Sequence, residues 1–176
     1  MPDDTALIIS PTLKQRGQSV LQALKASHMS IVTAESCTAG TIAAVLSRMD
    51  GAGDVLHGGF VTYTKEQKVK ALGVSAQLLK DHGAVNEEVV HQLAAGALER
   101  SPASLSLAIS GVLGPEEDED GNPVGLVYFC ALAKGKAPCI VRENWGKQAP
   151  GQLLSLAINR AFDLIESSAK SKTKIA

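Results

Sequence analysis

Apolar positions recur along this chain with two distinct periods. Over residues 13–24, Leu13, Val20, Leu21 and Leu24 fall at helical spacing, which predicts an amphipathic helix. The run Met29-Ser30-Ile31-Val32-Thr33-Ala34 is short, apolar and β-branched, and it predicts a buried strand. It leads into Glu35-Ser36-Cys37-Thr38-Ala39-Gly40, after which residues 41–49 have helical composition. Gly51 and Gly53 break that helix, and Gly58-Gly59 precede a second β-like run over 60–64. Short helices are predicted over 65–72 and 76–81. A longer one over 87–100 has Asn86 as its N-cap and Glu87 and Glu88 in its first turn, where the helix dipole favours them.

A third strand is predicted over 104–110, running into Gly111-Val112-Leu113-Gly114-Pro115 and the acidic stretch 116–120. Two further strands, 124–133 and 139–145, flank Lys134-Gly135-Lys136 as a hairpin, and an amphipathic helix covers 152–166. Strands interleaved with helices, without repeat or linker, predict an α/β fold: one domain, a three-layer α/β/α sandwich on a mixed sheet. Residues 1–10 read as a loose leader, 11–167 as the domain, and 168–176 as a disordered tail.

Composition narrows the function classes. A chain of 176 residues buries roughly two-thirds of its unfolded surface. It therefore needs no disulfide or metal staple. With aromatics at 3%, the core must come from Ala, Val, Leu and Ile. A net charge of −1 gives no clustered basic face for nucleic acid. Three cysteines, Cys37, Cys130 and Cys139, lack a C-x-x-C spacing, so neither a zinc site nor a disulfide framework is indicated. No signal-like or membrane-spanning run occurs, which predicts a cytoplasmic protein without membrane partners. The reading calls for no cofactor and no metal, and it allows a homo-oligomer.

Ligands of α/β sheets bind beyond the carboxyl ends of strands, which singles out the loops 35–40, 63–68 and 110–125. The first resembles a strand–nucleophile–helix elbow. Ser36 would lie at a helix N-terminus, where backbone N–H groups can stabilise an oxyanion or a phosphate. The competing reading makes Ser36 or Thr38 a simple N-cap. A serine nucleophile needs a base. His28, His57, His82 and His91 have no motif around them and read as solvated or packing residues. Lys68 follows Tyr63 by a strand-to-helix turn that can aim both at one cleft. A partly buried lysine of depressed pKa can serve as the base of a Ser-Lys pair, although most lysines are simply solvated.

Several motifs run in order through the chain: Thr33-Ala34-Glu35-Ser36-Cys37-Thr38, Gly58-Gly59-Phe60-Val61-Thr62-Tyr63 with Lys68, Leu72-Gly73-Val74, Gly83-Ala84-Val85, Ile109-Ser110-Gly111 with Gly114-Pro115, and Pro123-Val124-Gly125. Together they resemble the CinA C-terminal domain family, which includes nicotinamide-nucleotide amidohydrolases, over residues 15–165. The resemblance implies hydrolysis of nicotinamide mononucleotide to nicotinic acid mononucleotide and ammonia. It implies Ser36 as nucleophile and Lys68 as base with Tyr63 beside them. It further implies a small-molecule nucleotide site drawing on Glu35, Thr38, Gly40, Thr64, Ser110, Gly111, Gly114, Gly125 and Lys147.

The departures from the family pattern cluster around that site. Thr38-Ala39-Gly40 stands for T-G-G, Tyr63-Thr64-Lys65 for Y-S-N, and Asn86 for the serine of G-A-V-S. Residues 116–120 are acidic where the family is glycine-rich, and the expectation is a loop turned to water. The G-D-R-x-x-x-R pattern is replaced by Gly146-Lys147-Gln148 with Gln152, which removes the forked donors that suit phosphate. Three functions compete: an active amidohydrolase, a catalytically weak or inactive paralogue serving as a ligand-sensing or protein-interaction module, and an amidase of an uncharged substrate.

Overall fold

The computed structural model describes residues 9–170. Helix α1 (Pro11–Ala26) precedes strand β1 (Ile31–Glu35) and helix α2 (Thr41–Leu46). Strand β2 (Leu56–Val61) leads to helices α3 (Lys65–Leu72), α4 (Ala76–His82) and α5 (Glu87–Glu99). Strands β3 (Leu105–Gly111), β4 (Leu126–Ala133) and β5 (Cys139–Asn144) follow, and α6 (Pro150–Lys170) closes the chain. The five strands form one sheet in the order β2-β1-β3-β4-β5. β1 runs parallel to β2 and β3, whereas β3, β4 and β5 pair antiparallel. The mixed three-layer sandwich expected from the pattern is therefore the observed fold.

Alternation along the strands divides the core between two layers. Ile31 of β1 and Leu105, Leu107 and Ile109 of β3 pack with α1, α2 and α6. Val32 and Ala34, with Ala108 and Cys130, face α3, α4 and α5. Because β1 and β3 are buried on both faces, they read as near-continuous apolar runs. The chain leaves β1 over one face through α2 and enters β3 from the other through α5. The carboxyl ends of β1 and β3 thus form a topological switch point, where such sheets open a crevice.

Several boundaries differ from the sequence reading. β2 begins at Leu56, not residue 60, because Gly58 and Gly59 are strand residues and not a break. A Cβ on Gly59 would meet Thr33 Oγ1 at 2.5 Å and Ala43 Cβ at 3.1 Å, so the glycine admits α2 close to the sheet. α6 begins at Pro150 and continues through Lys170 with Ala169 buried, so 168–170 are helical and not part of a tail. The leader falls mostly outside the described residues, as do 171–176 of the tail. Asn86 caps α5 as expected, its side chain accepting from Val89 N.

Candidate active site

Period-two alternation sends Glu35 and Ser36 to opposite sides of the sheet. Glu35, fully buried on the α2 side, accepts from Ile42 N at 3.0 Å and Ala43 N at 2.9 Å. It also accepts from Thr33 Oγ1 at 3.0 Å and Thr38 Oγ1 at 2.6 Å. The carboxylate therefore satisfies the first amides of α2 and ties down the turn between strand and helix. The N-cap residue of α2 is Gly40, which makes no side-chain cap bond. The reading of Ser36 or Thr38 as a cap fails on this point, because Glu35 reaches the helix end from the strand. For the same reason the α2 amides are occupied and cannot serve an oxyanion. The amides of Cys37 and Thr38 take no backbone carbonyl as partner and are directed toward the Cys37 thiol.

Ser36 meets Lys68 on the other side. Thr64 caps α3 through a bond from Gln67 N, and the buried face of this helix consists of Lys68 and Leu72, one turn apart. Lys68 is 1% exposed, the bulkiest fully buried side chain among the described residues. Its Nζ donates to Ser36 Oγ at 2.9 Å and to Thr62 O at 2.8 Å. Among the described residues, no carboxylate forms an ion pair with it. Burial brings its pKa down from 10.5 to about 8, with the nearby Lys65 ammonium adding to the fall and Cys37 opposing it. Cys37, the immediate neighbour of the serine, is driven the other way, to about 12, chiefly by burial. The thiol therefore stays protonated and unreactive. Of the two adjacent side chains, the serine is the one hydrogen-bonded to Lys68.

These groups open into a cavity of about 460 Å³ that takes in Ser36, Cys37, Tyr63, Lys68, Ser110, Gly111 and Gly114. Thr64 also lines it, although its hydroxyl is engaged as the α3 cap. Tyr63 stands at 67% exposure and makes no hydrogen bond to Ser36 or Lys68. Ser110 donates to Ala84 O at 2.7 Å and holds the 84–85 segment against the cavity. Glu35, Thr38, Gly40, Gly125 and Lys147 do not line it. Gly125 lets the Gly146 backbone approach closely, a contact that a Cβ would block. Lys147 is exposed.

The acidic loop is largely exposed to water, as expected, and it also lines the cavity. Glu116, Asp118, Glu119 and Asp120 form one wall of the cavity. Lys65 bridges to Asp120 at 2.6 Å and Glu119 at 2.9 Å, while Asp120 Oδ2 accepts from Ala84 N. Asp118 braces the turn by accepting from Asp120 N, Asn122 N and Asn122 Nδ2. Sequence reasoning treated Lys65 and this loop as separate departures. They are partners, and complementary charge was the signal that could have joined them. No histidine lines the cavity, and no cluster of metal-binding side chains occurs among the described residues.

The CinA C-terminal domain family model matches residues 13–169. The chain belongs to the CinA C-terminal domain family. The nicotinamide-nucleotide amidohydrolase PncC of Escherichia coli K12 is 42% identical over 125 residues, covering 70% of this chain and 76% of its own. Protein YdeJ from the same strain is 40% identical over 130 residues, covering 74% and 76%. Among solved structures, a competence/damage-inducible protein from Agrobacterium tumefaciens superposes with a TM-score of 0.86 at 28% identity, covering 93% of this chain and 98% of its own. A CinA superfamily protein from Escherichia coli gives 0.82 at 34% identity, covering 93% and 94%. Among the described residues, no helix is long and apolar enough to cross a membrane.

Proposed function

We propose that this protein is an amide hydrolase of the nicotinamide-nucleotide amidohydrolase type, converting a pyridine carboxamide and water to the carboxylate and ammonia. The observation that carries the reading is the buried contact of 2.9 Å between Lys68 Nζ and Ser36 Oγ. Its context, a cavity in a relative of PncC, points to the same chemistry.

The geometry supports the following steps. Near neutral pH a fraction of Lys68 is uncharged, and its lone pair accepts the Ser36 proton while an N–H stays on Thr62 O. Ser36 Oγ adds to the carboxamide carbon, and the oxyanion takes the amides of Cys37 and Thr38 as donors. The protonated Lys68 returns its proton to the departing nitrogen, releasing ammonia and leaving an acyl-serine. Water, deprotonated by Lys68, hydrolyses that ester and regenerates the hydroxyl. Tyr63 flanks the cavity mouth, where it can cover a planar ring. The test is ammonia release from nicotinamide mononucleotide and from nicotinamide riboside. Wild type should release it and Ser36→Ala should not; full turnover by Ser36→Ala would end the nucleophile assignment.

A further inference from the structure

The cavity lining has a composition that the hydrolytic pair does not explain. Its charged lining consists of Glu116, Asp118, Glu119 and Asp120 against two lysines, Lys65 and Lys68. Lys68 is needed uncharged for the reaction. Lys65 is firmly cationic, held so first by Asp120 and then by Glu119. Its ammonium is already shared by those two carboxylates. Lys65, the lining cation outside the reacting pair, is therefore not free to receive a phosphate. The loop is also held in place: Lys65 and Ala84 N fix Asp120, and Asp118 folds the turn on itself. A ligand entering this cavity meets negative potential from the braced acidic loop, and the Lys68 amine gives up its charge when it activates Ser36.

We propose that this wall makes the site select a phosphate-free, cationic pyridinium carboxamide, a nucleoside in place of a nucleotide. The inference rests on the amide-hydrolase reading and narrows its substrate class. The pyridinium ring of such a nucleoside carries a positive charge that the carboxylates attract, whereas a phosphate dianion adjoining the same ribose is repelled. Across a few ångströms of water-filled cavity, one dianion facing several carboxylates should lose about tenfold in affinity at low salt. The two departures at Lys65 and residues 116–120 thus act as one device. Lys65 holds the acidic loop at the cavity, and the loop consumes the charge that Lys65 would otherwise offer to phosphate.

The experiment measures kcat/KM and, by titration calorimetry, Kd for nicotinamide riboside and nicotinamide mononucleotide on the full chain at low and high ionic strength. The expected result is a preference for the riboside of about tenfold at low salt that shrinks as salt screens the wall. Glu116→Gln with Glu119→Gln, both exposed positions, should shift the ratio toward the mononucleotide severalfold. A preference for the mononucleotide, a ratio indifferent to salt, or binding of neither ligand overturns the proposal. Tighter riboside binding without turnover of either ligand supports the selectivity and removes the hydrolase reading. Turnover that favours the mononucleotide does the reverse.

Discussion

Lys68→Met separates a catalytic lysine from a structural one. Burial lowers the pKa of Lys68 from 10.5 to about 8. A fall of that size makes the native state roughly 3 kcal/mol less favourable for the charged amine than the unfolded chain. Below the native pKa both states carry the proton, and the fold bears this penalty in full. Between the native and unfolded pKa values the unfolded chain binds a proton that the native state does not. Wild-type stability must therefore rise with pH across that window and level off above it. Methionine keeps an unbranched apolar stem and removes the charge, but it deprives Thr62 O of a donor, a loss of about 1–2 kcal/mol. The variant should be as stable as wild type near pH 7, or about 1–2 kcal/mol more stable, and should lose that advantage toward about pH 10. Urea unfolding at both pH values measures the difference, with ammonia release measured in parallel and expected to vanish. A variant more than about 2 kcal/mol less stable near neutral pH, or a difference that does not change with pH, would refute the reasoning.

Two other perturbations test the scaffold around the pair. Glu35→Ala leaves two α2 amides and two threonine hydroxyls without their buried acceptor, and should cost about 3 kcal/mol or more in chemical denaturation; a loss below about 1 kcal/mol would show that the turn holds itself. Ala39 sits at φ 48° on the exposed side of the same turn, so Ala39→Gly should raise the melting temperature slightly, by up to about 1 kcal/mol of stability, with little change in turnover.

How far the sequence reveals this site depends on the range of the interaction. Strands and helices follow from local periodicity, and α3 falls on the residues that the pattern predicts. Gly58 and Gly59 mislead because a glycine that ends a strand and one that admits a helix to a sheet look alike in sequence. Ser36 and Lys68 are legible as individual residues, but their contact spans 32 positions and depends on parallel pairing that no local pattern encodes. Glu35 illustrates the opposite failure. Placed among the substrate groups by the family resemblance, it faces the other layer, since neighbouring positions on a strand point apart. The acidic loop is hydrated, as charge runs usually are, but its ion pair with Lys65 from 55 residues away is invisible to local pattern. Long-range ion pairs leave no trace in periodicity.

The central claim, that a neutral Lys68 activates Ser36, is tested most directly by the pH dependence of kcat/KM, which reports the free enzyme. The account predicts a rate that climbs with pH through an apparent pKa of about 8 and then holds level. In Lys68→Arg, whose guanidinium is effectively never deprotonated, turnover should disappear across the whole range. An arginine variant that keeps turnover, or a wild-type rate without that rising limb, would show that the residue supplies positive charge and that the proton leaves Ser36 by another route.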